Sequence, residues 1–107
     1  MLDKRKKERF IRPTPPGEIL EEEFMKPYGL SQNKLANCLK VPPRRINEII
    51  KNKRSITVNT ALRLSRFFGT SAKYWLNLQR NYELRIAKLN IPEDIEAIEK
   101  YEFTANL

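Results

Sequence analysis

Histidine is absent from the 107 residues, and cysteine occurs once, as Cys38. The usual zinc and haem sites need clustered imidazole or thiolate ligands, which this composition does not supply. A Ser-His-Asp triad is excluded for the same reason. One cysteine cannot close an internal disulfide, which fits a reducing compartment. The three glycines, Gly17, Gly29 and Gly69, are too far apart to form a phosphate-cradling loop. No apolar run approaches the roughly 18 residues that span a bilayer. The N-terminus, charged from Asp3 onward, lacks the apolar stretch of a secretory signal. The expectation is a cytoplasmic protein with no membrane contact, no metal and no cofactor. Carboxylate chemistry stays formally open, but nothing in the pattern points to an enzyme.

What the chain has in excess is positive charge, and the placement says more than the formal total of +8. Residues 31–90 carry 13 Lys/Arg against Glu48 and Glu83 alone. Residues 91–107 set Lys100 against Glu93, Asp94, Glu96, Glu99 and Glu102. A polyanion would therefore meet the middle of the chain, not its end. Three regions are expected: a basic, flexible arm over 1–12, a folded unit over 13–90, and an acidic extension over 91–107.

The pattern within the folded unit is helical throughout. Leu20 and Phe24, four residues apart, mark a first helix from Gly17 to Met25, which Pro27 should stop by biasing Lys26 away from helical angles. Ser31 is a good N-cap for a helix with Leu35, Ala36 and Leu39 inward. Val41 lies in a tight turn, and Pro42 and Pro43 open a second short helix with Ile46, Ile49 and Ile50 inward. Thr57 and Gly69 bracket a fourth helix, on which Val58, Ala61, Leu62, Ser65 and Phe68 read as one small or apolar face. Leu64 and Phe67 lie outside it, so contact is expected on two sides. Ser71 caps the longest helix, running to about Lys88 with Trp75, Leu78, Tyr82, Ile86 and Leu89 as its stripe. A short last helix is expected after Pro92, to about Glu102. Cys38, near the inward stripe of its helix, reads as a small buried hydrophobe.

Short helix, tight turn and second short helix make a helix-turn-helix, whose second helix enters the major groove of DNA by its N-terminal end. The outward residues of that second helix suit base reading. Arg44 and Arg45 can fork onto guanine, Asn47 can match adenine, and Glu48 can accept from cytosine. Gln32, Lys51, Lys53 and Arg54 are placed to hold phosphates. From Lys40 to Arg54 the chain has six basic residues and one acidic one, a bias that a merely solvated helix would not need. Beyond Trp75 and Leu78, the long helix has more large apolar groups than a small core requires. Tyr82, Ile86 and Leu89 are thus the expected contact of a two-fold dimer, which would set two recognition helices about 34 Å apart.

Longer stretches carry a resemblance. Pro16-Gly17-Glu18-Ile19-Leu20, Leu30-Ser31-Gln32-Asn33-Lys34-Leu35-Ala36, Val41 to Ile49 and Asn52 to Thr57 resemble the XRE-type helix-turn-helix of HigA antitoxins, also called VapI/HigA addiction-module antidotes. The run Phe68-Gly69-Thr70-Ser71, with Tyr74-Trp75-Leu76-Asn77-Leu78-Gln79, is the more specific part. The resemblance covers about residues 13–88. It implies an all-α, lambda-repressor-like domain of five helices with a long C-terminal helix. It also implies a homodimer that binds a palindromic operator in double-stranded DNA, represses its own operon, and neutralises a cognate RelE-like toxin that cleaves mRNA. Where the family usually has glycine, this chain has Lys40, and a left-handed turn there costs on the order of 1 kcal/mol more. The alternative is a stand-alone regulator of the same fold without a toxin. An RNA-binding role is less apt, because few aromatics lie among the basic residues to stack on bases.

Overall fold

The computed structural model describes residues 12–104, so the expected basic arm, apart from Arg12, lies outside the described residues. Six α-helices and no strand are found among them. Helix α1, Pro16–Ile19, runs on into a π-wound stretch, Leu20–Met25, and a 3₁₀ turn, Lys26–Tyr28. The remaining helices are α2, Gln32–Leu39; α3, Pro43–Ile50; α4, Val58–Phe68; α5, Ala72–Leu89; and α6, Glu93–Glu96. No helix of the described residues is long and apolar enough to cross a membrane.

Local chemistry sets most of the boundaries. The hydroxyls of Ser31, Thr57 and Ser71 accept from the backbone N–H groups of Lys34, Thr60 and Tyr74, capping α2, α4 and α5. Pro42 and Pro43 start α3 without such a cap, since proline has no N–H there to satisfy. Gly69 closes α4 in the left-handed region, with φ 75°. The first helix departs from expectation. Lys26 keeps helical angles, φ −58° and ψ −45°, despite the proline after it. Its N–H reaches back to the Glu21 carbonyl in the wider π pattern, and Pro27 then sits at the start of a 3₁₀ turn, where its missing N–H costs little. The chain turns instead at Gly29, with φ 62°.

The core is built from Leu20, Leu35, Ala36, Ile46, Ile49, Ala61, Leu64 and Trp75, all buried. Trp75 donates its indole N–H to Thr70 Oγ1 at 2.7 Å and packs against Phe24 with ring centroids 4.8 Å apart. That bond fixes the Gly-Thr-Ser corner against the long helix. Gly17 brings α1 close to α3. A β-carbon there would overlap the Ile49 carbonyl and stand 2.8 Å from Ile50 Cα.

Three sequence expectations are corrected. On α4 the packed face is Thr60, Ala61 and Leu64, while Val58 and Leu62 are exposed. At helical spacing Thr60, Ala61 and Leu64 share one direction, which puts Val58 and Leu62 on the opposite side. Cys38 is exposed. With about 100° of rotation per residue, it falls on the flank of α2 away from the direction shared by Leu35, Ala36 and Leu39. The last helix is a single turn ending at Glu96, since no apolar neighbour covers the acidic stretch beyond it.

Candidate nucleic-acid interface

Helices α2 and α3 pack on each other, with α1 behind α3 and α4 beside α2. The turn between them is a left-handed C-terminal motif. Lys40 adopts φ 59° and ψ 46°, and the N–H of Val41 returns to the Ala36 carbonyl at 3.0 Å. Lysine thus takes the strained conformation itself, with no local adjustment of the turn. Arg63 of α4 supports it, donating from Nη1 to the Leu39 carbonyl at 2.8 Å and the Lys40 carbonyl at 3.4 Å. Those carbonyls end α2 and have no partner within the helix.

Ile46 and Ile49 anchor α3 beneath, which leaves its other side to the expected reading residues. Arg44 is exposed and donates from Nε to Glu48 Oε1 at 3.1 Å, while Arg54 Nη2 reaches the same oxygen at 3.0 Å. The bond from Arg54, with the added field of Arg44, holds the Glu48 carboxyl below its ordinary range against the opposing effect of desolvation. Asn47 Nδ2 donates to Gln32 Oε1 at 3.0 Å, tying the start of α2 to α3. Arg45, half-buried, donates from Nη1 to Asn59 Oδ1 at 2.9 Å. Lys51 and Lys53 are exposed beyond the helix end. Seven of the eight expected contacts thus fall in or just beyond one helix, and Gln32 joins them through Asn47.

Besides Arg63, sequence reasoning missed three supporting side chains. Asn59 Oδ1 accepts from both Arg45 Nη1 and Arg63 Nε, each at 2.9 Å, so one amide links α4 to Arg45 of α3 and to the supported turn. Gln79, buried on α5, accepts the Ile56 N–H at 2.8 Å and donates to Glu83 at 3.1 Å, fixing the loop that follows α3. Asn52, left-handed with φ 59°, donates to the Tyr82 hydroxyl at 2.8 Å. Tyr82 is therefore half-buried against this loop, whereas Ile86 and Leu89 stand exposed. All three links join residues 14 to 30 positions apart, beyond the reach of any local motif.

The electrostatic outcome is one-sided. Both acids of residues 31–90 are engaged within the fold, Glu48 by two arginines and Glu83 by Gln79 and Ser55. Among the described residues the other lysines and arginines of 31–90 form no ion pair, the condition in which a basic surface attracts a polyanion. Among the described residues no three His, Cys, Asp or Glu side chains are grouped to hold a metal.

Comparison with known proteins agrees with this geometry. A family model described as helix-turn-helix matches residues 22–75. Virulence-associated protein I of Dichelobacter nodosus is 56% identical over 73 residues, 68% of this chain and 68% of the relative. An uncharacterised transcriptional regulator of Escherichia coli, YbaQ, is 40% identical over 73 residues, 68% of this chain and 65% of its own length. Among solved structures, the Pseudomonas aeruginosa antitoxin HigA with the higBA promoter superposes with a TM-score of 0.80 at 40% identity. That match covers 85% of this chain and 100% of the HigA chain.

Proposed function

This chain belongs to the helix-turn-helix family that includes the HigA antitoxins, regulators and not enzymes, and from that membership we propose that it is an operator-binding antitoxin that represses its own promoter as a homodimer. The observation that carries the reading is α3 itself. Its apolar side is pinned by Ile46 and Ile49, and its outward side chains carry donors and an acceptor in the pattern that base edges require. Arg44, Arg45, Asn47 and Glu48 read bases; Gln32, Lys51, Lys53 and Arg54 hold phosphates. In the free protein several of these groups bond to one another. Binding exchanges those bonds for base and phosphate contacts, so the side chains are ordered before DNA arrives.

Residues 13–90 form the binding unit. Ile86 and Leu89 continue the long helix as the contact between two copies, with Tyr82 at its inner edge. The partner to be neutralised is a RelE-like, mRNA-cleaving toxin, a reading supported by the antitoxin name of the HigA structure. Co-expression with the product of an adjacent small basic reading frame tests it. A stable complex and relief of growth arrest are expected, and a toxin that stays active and unbound overturns it. A footprint on the chain's own promoter tests repression. The logarithm of affinity should fall against that of salt by about 0.9 per phosphate contact. A stand-alone regulator is the second reading, favoured by the regulator name given to YbaQ. It predicts the footprint without any toxin partner.

A further inference from the structure

A cleft of about 700 Å³ opens between the end of α2 and the outer side of α4. Among the described residues, Lys40, Arg63 and Arg66 give it positive charge and no acid lines it. Its apolar lining is open to solvent, with Leu62 56% and Phe67 41% exposed. Cys38 lies at its edge with an exposed thiol. The cleft thus asks for a partner that is acidic and carries large apolar side chains.

The chain holds a segment of that chemistry. Over residues 91–104, five acids and one lysine are interleaved with Ile95, Ile98, Tyr101 and Phe103, which are 53%, 72%, 71% and 85% exposed. Every residue from Glu83 to Thr104 is exposed, so the segment stands off its own body. Large exposed apolar groups set among like charges mark a surface that is covered by a partner. We propose that residues 91–104 of one copy dock into the basic cleft between α2 and α4 of a second copy. The reciprocal exchange gives a closed two-fold arrangement, with Ile95, Ile98, Tyr101 and Phe103 over Leu62 and Phe67, and the carboxylates facing Lys40, Arg63 and Arg66. The exposed Ile86 and Leu89 lead directly into the docking segment, so the two contacts form one continuous interface. The inference rests on the two-copy assembly proposed above.

Cys38 serves as the reporter. Lys100→Cys puts a second thiol in the segment and leaves its acids and apolar groups intact. With oxidised glutathione as the oxidant, reduced in turn to two glutathione thiols, docking predicts a disulfide-linked dimer on non-reducing gels. Its yield should exceed that of a Lys73→Cys control by about a hundredfold, because docked thiols meet at millimolar effective concentration. The dimer should disappear when Cys38→Ser is added, which excludes pairing between the two introduced thiols, and fall when Leu62→Asp is added. A yield equal to the control, or a closed monomer in place of a dimer, overturns the proposal. Sedimentation of the unmodified chain separates the two levels: a monomer at all concentrations defeats the assembly itself, whereas a dimer without the crosslink defeats only the docking.

Discussion

The first and second halves of α5 are one continuous helix under opposite conditions. Up to Tyr82 its side chains are used by the body: Trp75 fills the core, Gln79 holds the Ile56 N–H, and Tyr82 receives Asn52. From Glu83 onward everything is exposed, Leu84, Ile86 and Leu89 included. The inner half is therefore fixed by the chain's own packing, and the outer half has apolar groups that the fold leaves uncovered. The contrast teaches that the proposed assembly draws on side chains the fold does not need, and substitutions should respect the division.

The largest effect is expected where the body is tightest. Gly17→Ala forces α1 away from the Ile49 carbonyl and should destabilise the fold by about 3 kcal/mol, read as a lower denaturant midpoint. Gln79→Leu, on the inner half of α5, leaves the buried Ile56 N–H without its acceptor. It should cost about 2 kcal/mol. Lys40→Gly relieves the left-handed turn and should stabilise by about 1 kcal/mol, provided Arg63 keeps its carbonyl contacts. Ile86→Ser with Leu89→Ser, on the outer half, should change monomer stability by no more than about 0.5 kcal/mol. The same pair should weaken self-association in sedimentation. A loss of folding from that double substitution would break the comparison.

The sequence was readable wherever a feature depends on neighbours a few positions away. Ser31, Thr57 and Ser71 cap helices because their hydroxyls reach an N–H three residues on, and Pro42-Pro43 opens α3 for a reason internal to proline. The buried side of α3 was equally readable from Ile46 and Ile49, whereas the half-burial of Arg45, Asn47 and Glu48 by Asn59, Gln32 and Arg54 was not. Two helix faces were less so. On α4, Val58 and Leu62 were expected inside with Ala61, but the buried direction runs through Thr60, Ala61 and Leu64. On α2, the habit of cysteine to be buried gave way to geometry, since Cys38 lies off the inward direction. The links through Asn59, Arg63 and Gln79 could not be read locally. Each depends on two distant segments already being brought together, which only the fold supplies.

The central claim is that α3 reads bases and does not merely attract phosphate. Arg44→Lys tests it most directly, because it keeps the charge and removes the planar fork. Affinities of the unmodified and substituted chains should be compared at one salt concentration on the footprinted promoter duplex and on a random duplex of the same length. A loss of about 1–3 kcal/mol on the promoter, with random-duplex binding unchanged, is the predicted result. Equal affinity of the two proteins for both duplexes, or equal loss on both, would contradict it.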